Sequence, residues 1–212
     1  MKLLKITLLL FCAILFSNCL GDRQSIIGQD LDDTSFINKS FKGNRIDFKE
    51  GMSACDLLKT NTLGELYKRS ADNVIITDPT KSNRFVNPAP SCTIHVKLSD
   101  QRGDHLTGYI SVYKEVAADE FMGDVAEATG NGDNWEEAWA MKKAMYKTTE
   151  WLPNMGKAAL WSAKKRRLEV KFDGYTLDIV APGAAFHTEE QARNRDYKTI
   201  AIAMAKEAGF ID

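Results

Sequence analysis

Apolar residues recur along this chain with two different periods. Cys92, Ile94, Val96 and Leu98 alternate with Thr93, His95, Lys97 and Ser99, the pattern of a half-buried strand. After a turn over Ser99 to His105, Leu106, Gly108, Ile110 and Val112 alternate with Thr107, Tyr109, Ser111 and Tyr113, so the two runs predict a hairpin. Leu168, Val170 and Phe172 precede Asp173-Gly174, and Tyr175, Leu177 and Ile179 follow it. An Asp-Gly pair between alternating runs predicts a hairpin with a type I′ turn. Val74 to Thr77 and Ala159 to Ser162 predict shorter strands, and Asp78 to Ser91, with Pro79, Pro88 and Pro90, predicts a loop.

Elsewhere the period is helical. Ser53 predicts a cap over Cys55, Leu57 and Leu58, and Thr62 with Glu65 a capping box. Phe121 to Ala128 predicts a helix ending at Thr129-Gly130. Asn134 to Glu137 opens a longer one, with Ala138, Met141, Met145 and Leu152 on one side and Pro153 and Gly156 at its end. A last helix is expected from Thr188, capped through Gln191, to Gly209, with Ile200, Ala201, Met204 and Ala208 as its stripe. Each strand has one apolar face and each helix one stripe. The expectation is one α+β domain: an antiparallel sheet of about five strands with helices packed on one face, and Trp161 in or beside the core.

The N-terminus follows neither pattern. Met1 to Lys5 is basic and Ile6 to Phe16 is nearly all apolar, too short to span a bilayer as a helix. Its length and flanks fit a secretory signal peptide over residues 1–18. Leu15-Phe16-Ser17-Asn18-Cys19 looks like a loose lipobox, with Phe16 and Asn18 where Leu and a small residue are usual. Lipidation of Cys19 is the expectation, and cleavage by an ordinary signal peptidase the alternative. Acyl chains on Cys19 would give stable membrane anchoring. Residues 19–50 read as a polar tether with isolated apolar residues, part of it able to pack on the domain, and Ile46 with Phe48 able to start a strand. The domain then covers residues 51–212.

Of 4 cysteines, Cys12 leaves with the signal and Cys19 takes lipid, so Cys55 and Cys92 remain. Export means an oxidising compartment, where the two most simply pair. With no C-x-x-C and only His95, His105 and His187, metal-ligand spacing is missing. The net charge of -1 gives no case from bulk electrostatics for nucleic acid or for an anionic membrane surface. Losing Lys2 and Lys5 leaves 26 basic against 29 acidic residues, still mildly acidic.

The order of pieces resembles a broad group of bacterial envelope lipoproteins carrying domains of unknown function. There, a Cys-x-Leu-Leu helix start, a second Cys at a strand start and a Gly-x-x-Ala-x-Trp stretch precede a hairpin and a terminal helix. Here these are Cys55-Asp56-Leu57-Leu58, Ser91-Cys92-Thr93-Ile94 and Gly156-Lys157-Ala158-Ala159-Leu160-Trp161, over about residues 52 to 210. The group often has an acid after the Gly, where this chain has Lys157. The resemblance implies a compact α+β domain at the envelope, without enzyme activity or cofactor.

Motifs for chemistry are sparse. No G-x-S-x-G, H-E-x-x-H or P-loop occurs, and nothing local links a His to a nucleophile. The pairs Asp119-Glu120 and Glu136-Glu137 suit helix starts. Lys164-Lys165-Arg166-Arg167 reads as a solvated hairpin tip, with anionic head groups as a second reading. Arg102-Gly103-Asp104 matches an adhesion tripeptide, but turn chemistry alone favours Gly-Asp there. Asp133 sits in a loop that lacks the alternate acids of a calcium site. His95, Tyr109 and Tyr113 share the outward face of one hairpin with Lys97, a possible binding face. The functional expectation is an exported lipoprotein with a non-catalytic binding or structural module for an envelope protein, glycan or lipid. The alternative is an envelope hydrolase whose site is assembled from distant residues.

Overall fold

The computed structural model describes residues 33–47, 53–78, 91–146, 148–184 and 194–212. The signal peptide, Cys19, His187 and the Thr188–Gln191 cap lie outside the described residues.

The protein is α+β. Its sheet has seven strands: β1 Val74–Thr77, β2 Ser91–Lys97, β3 His105–Lys114, β4 Thr149–Trp151, β5 Ala158–Ser162, β6 Arg167–Phe172 and β7 Tyr175–Gly183. Their order is β1-β2-β3-β7-β6-β5-β4, and neighbours are antiparallel throughout. Two meanders, β1 to β3 and β4 to β7, thus meet where β3 pairs with β7. Among the described residues there are four α-helices: α1 Thr60–Tyr67 before β1, α2 Gly123–Thr129 and α3 Trp135–Met145 between the meanders, and α4 Tyr197–Glu207 after β7.

The sheet has seven strands against the expected five or so, and the strand with no counterpart in the sequence reading, β4, arises because α3 stops at Met145 instead of running to Pro153. Thr149 ends it: the hydroxyl donates to the carbonyls of Lys143 and Tyr146, which the helix leaves free. Thr149 to Trp151 then pairs with β5 as an edge strand.

The helices do not share one face. Successive strand residues point to opposite sides. Ala159 and Trp161 of β5 join the main core with Ile200, Ala201 and Met204 of α4. Ala158 and Leu160 join a second cluster with Trp135 and Trp139 of α3. So α4 covers one face and α3 the other. The reason is that β5 is apolar on both sides and buried at every position. Trp161 lies in the main core as expected.

Local chemistry differs from the sequence reading at three places. Ser53 does cap, its hydroxyl accepting from the Cys55 amide, but the turn it opens is a 3₁₀ turn over Ala54–Leu57. Thr62 makes no capping box; its hydroxyl donates to Glu207 of α4 at 3.0 Å. The β6–β7 turn is not type I′, which needs positive φ at both central residues. Gly174 has φ 76, whereas Asp173 is not among the positive-φ residues. Outside partners hold this turn: Asn44 exchanges hydrogen bonds with the Asp173 peptide, and Glu115 takes the Gly174 amide.

Residues 33–47, expected within a tether, are docked on the domain. Phe36 stacks on Trp151 at 4.0 Å, the Asn38 side chain donates to the Gly156 carbonyl at 3.0 Å, and Tyr175 donates to the Ile46 carbonyl at 2.8 Å. The isolated apolar residues of this segment each fill a gap beside a strand or turn, which needs no period. Cys55 and Cys92 are joined by a disulfide with Cα atoms 5.0 Å apart.

Candidate binding face

The side of the sheet opposite α4 carries the outward residues of β2 and β3. Thr93 stands opposite Tyr109, and His95 opposite Thr107. Across β3 and β7, Ser111 faces Asp178 and Tyr113 faces Thr176. A register shift between Thr107 and Tyr109 marks a bulge against β7, a device that re-aims a side chain. Just beyond it, the Tyr109 hydroxyl donates to Asp178 Oδ2 at 3.2 Å.

Asp178 anchors a charge network. Arg167 Nε donates to its Oδ1 at 2.7 Å, and Arg167 Nη2 lies 3.3 Å from Glu169 Oε1. Lys142 of α3 reaches the same Glu169 oxygen at 2.8 Å. Glu169 and Asp178 are direct cross-strand partners, so their like charges are held together by the two cations. A second buried pair joins Lys171 to Glu115 at 2.6 Å, with Lys171 also over the Trp135 ring. Burial pushes the Asp178 carboxyl above its ordinary value, against the pull of Arg167. Burial, then Asp178, raises the hydroxyls of Tyr109 and Tyr113.

Of the residues expected on this face, Tyr109 and Tyr113 gather around Asp178. His95 does not join them. Its Nδ1 is 3.1 Å from the Thr107 hydroxyl, and its ring meets His105 edge-on at 4.9 Å. Burial, then His105, lowers its pKa. With about 3.4 Å of rise per residue, His95 and Tyr113 stand roughly 20 Å apart along the sheet. Lys97 is exposed at the His95 end.

Glu169, Lys171 and Asp178 are not singled out by the sequence, and Arg167 only as part of a basic run. Their signal was present: Arg167, Glu169 and Lys171 alternate with Leu168, Val170 and Phe172, and a two-residue turn at Asp173-Gly174 sets Glu169 against Asp178. The basic run reads in the sequence as one solvated tip, but the strand divides it. Arg166 turns inward to the carbonyls of Ala181 and Ala184, Arg167 joins the network, and Lys164 and Lys165 stay outside. At the β2–β3 turn, the Asp104 carboxylate accepts from the Ser99 hydroxyl, which ties it into its own loop.

Chemically, the face offers half-buried hydroxyls and an imidazole for hydrogen bonding. Its carboxylates are spent on each other's counter-ions: Asp178 is 1% and Glu169 6% exposed. Among the described residues, no group of three or more His, Cys, Asp or Glu is placed to hold a metal, and no helix is long and apolar enough to cross a membrane. No family model, curated protein or solved structure matches this chain.

Proposed function

We propose that this chain is an exported lipoprotein, anchored through acyl chains on Cys19, with a non-catalytic binding or structural module at the cell envelope. The observation that carries the compartment is the Cys55–Cys92 disulfide, a bond typical of oxidising compartments, in a chain that opens on a basic and then apolar segment. The ligand class is an envelope protein, glycan or lipid, met by the half-buried hydroxyls of Tyr109 and Tyr113 and by His95 at the far end of the face. Compensated carboxylates suit such a surface better than bond cleavage, because a catalytic acid must reach its substrate.

The test begins with location. Expressed in its native host, the protein is expected to partition into detergent, and Cys19→Ala to move it to the soluble fraction. A wild-type protein already soluble and beginning after Cys19 refutes the anchor. For the face, retention on immobilised envelope protein, glycan or lipid fractions should drop in Tyr109→Ala and Tyr113→Ala while the melting transition stays cooperative.

One observation favours the hydrolase alternative: Asp178, whose carboxyl pKa burial raises, sits opposite Glu169, and a pair of carboxyl groups is what acid–base cleavage uses. That reading requires turnover of an envelope ester, amide or glycoside that Asp178→Asn abolishes in a folded protein.

A further inference from the structure

We infer that the C-terminal end of α3 and the β5–β6 turn form a face that lies on an anionic lipid bilayer. Met141 and Met145 on the outer side of α3, and Tyr146 just after it, are 42%, 66% and 38% exposed. Thr149 pairs with Ser162, and the Ala163 amide donates to the Thr148 carbonyl at 3.1 Å, which sets the β5–β6 turn against the end of the helix. Lys165 Nζ consequently lies 4.0 Å from the centre of the Tyr146 ring. Lys164 and Lys165 are exposed, and Lys143 is in the last turn of α3.

Nearby acids are engaged elsewhere. Glu150 is held by Lys198 at 3.0 Å, and Glu169 by Lys142 and Arg167. Glu137, one helical turn before Met141, bounds the patch. What remains is a cluster of flexible apolar side chains and a ring, flanked by Lys143, Lys164 and Lys165. Amphipathic surfaces that sit in the headgroup region have this make-up. Charge complementarity selects an anionic bilayer as the occupant, at roughly fivefold in partitioning per lysine. Reach agrees. Phe36 meets the Trp135 ring at 6.0 Å, at the start of the same helix, and the chain from Cys19 to Asp33 spans at most roughly 50 Å. The inference rests on the anchored reading above, and its test separates the two.

Acylated protein from the native envelope is reconstituted into vesicles of phosphatidylcholine, with or without phosphatidylglycerol. Peroxide oxidation of Met141 and Met145 is then followed by peptide mass spectrometry. Both sulfurs should oxidise about tenfold more slowly on the anionic vesicles. High salt should remove the protection, as should Lys143→Glu/Lys164→Glu/Lys165→Glu, in which Lys164 and Lys165 are exposed and Lys143 is half-buried, all three outside both core clusters. Protein that floats with both vesicles but oxidises equally on both refutes the face and leaves the anchor standing. Protein that floats with neither refutes both. Protection that grows with protein density on neutral vesicles assigns the patch to a second copy and overturns the inference.

Discussion

Reduction of the Cys55–Cys92 bond isolates the covalent link from the packing around it. The bond ties the 3₁₀ turn at Ala54–Leu57 to β2 and closes a loop of 37 residues in sequence separation. Chain-entropy reasoning assigns such a loop about 4 kcal/mol at 25 °C. Replacing Cys92 would add a cavity, since it is 0% exposed. Reduction leaves both sulfurs in place. In a domain of this size, 1 kcal/mol moves Tm by roughly 2–4 °C, so the reduced protein should melt about 8–16 °C lower. Urea titration of protein refolded with and without a phosphine reductant reads the same difference. The midpoint should fall and the slope rise, because the unfolded chain opens when the loop is cut. With both thiols shown to be free, a stability change below about 1 kcal/mol would mean that the loop is already closed in the unfolded state, and the reasoning fails.

Other consequences are as direct. Val170 is 0% exposed in the main core, so Val170→Asp buries an unpaired charge, costs more than about 4 kcal/mol and should abolish the cooperative transition seen by circular dichroism. Arg167→Met strips the shared cation from Asp178 and Glu169 and should cost about 3–5 kcal/mol at neutral pH. The folded-state pKa of Asp178 lies above its unfolded value, so the folded state holds that proton longer. Its contribution therefore falls as pH rises from the ordinary aspartate range through the raised value, and more steeply in Arg167→Met. Equal urea midpoints in acid and at neutral pH for that variant would contradict this. His95 has the opposite sign: its folded-state pKa lies below the ordinary histidine value, so the unfolded state binds the proton first and stability drops as pH falls below that value. Its imidazole NMR signals should titrate below the ordinary range.

The two hairpins and the disulfide were legible because each is local or arithmetic: alternation fixes a face, and two remaining cysteines have one pairing. The tyrosines were legible for the same reason. The extra strand was not, because Thr149 to Trp151 carries too few residues to show a period and follows a good helix. The two-sided helix cover was hidden because Ala158–Ser162 is a continuous apolar run, which shows burial without showing what buries it. That part of the tether can pack on the domain was legible, but its docking places were not, because the partners Gly156 and Asp173 are 118 and 129 residues away.

The two-meander construction sets an order of assembly. Hairpin contacts within β1 to β3, and within β4 to β7, close short loops and form quickly. The seam between β3 and β7, such as Tyr113 against Thr176, must bridge the whole connection between the meanders before it repays that closure, so it is expected to form after the hairpins. As the chain emerges from its N-terminus, Cys55 and Cys92 are both present while the second meander is still missing, so the first half can be cross-linked early. Phe36, Asn38 and Asn44 precede the whole sheet in sequence, yet their docking places, Trp151, Gly156 and Asp173, belong to the second meander. Until that meander forms, this segment lacks its docking partners.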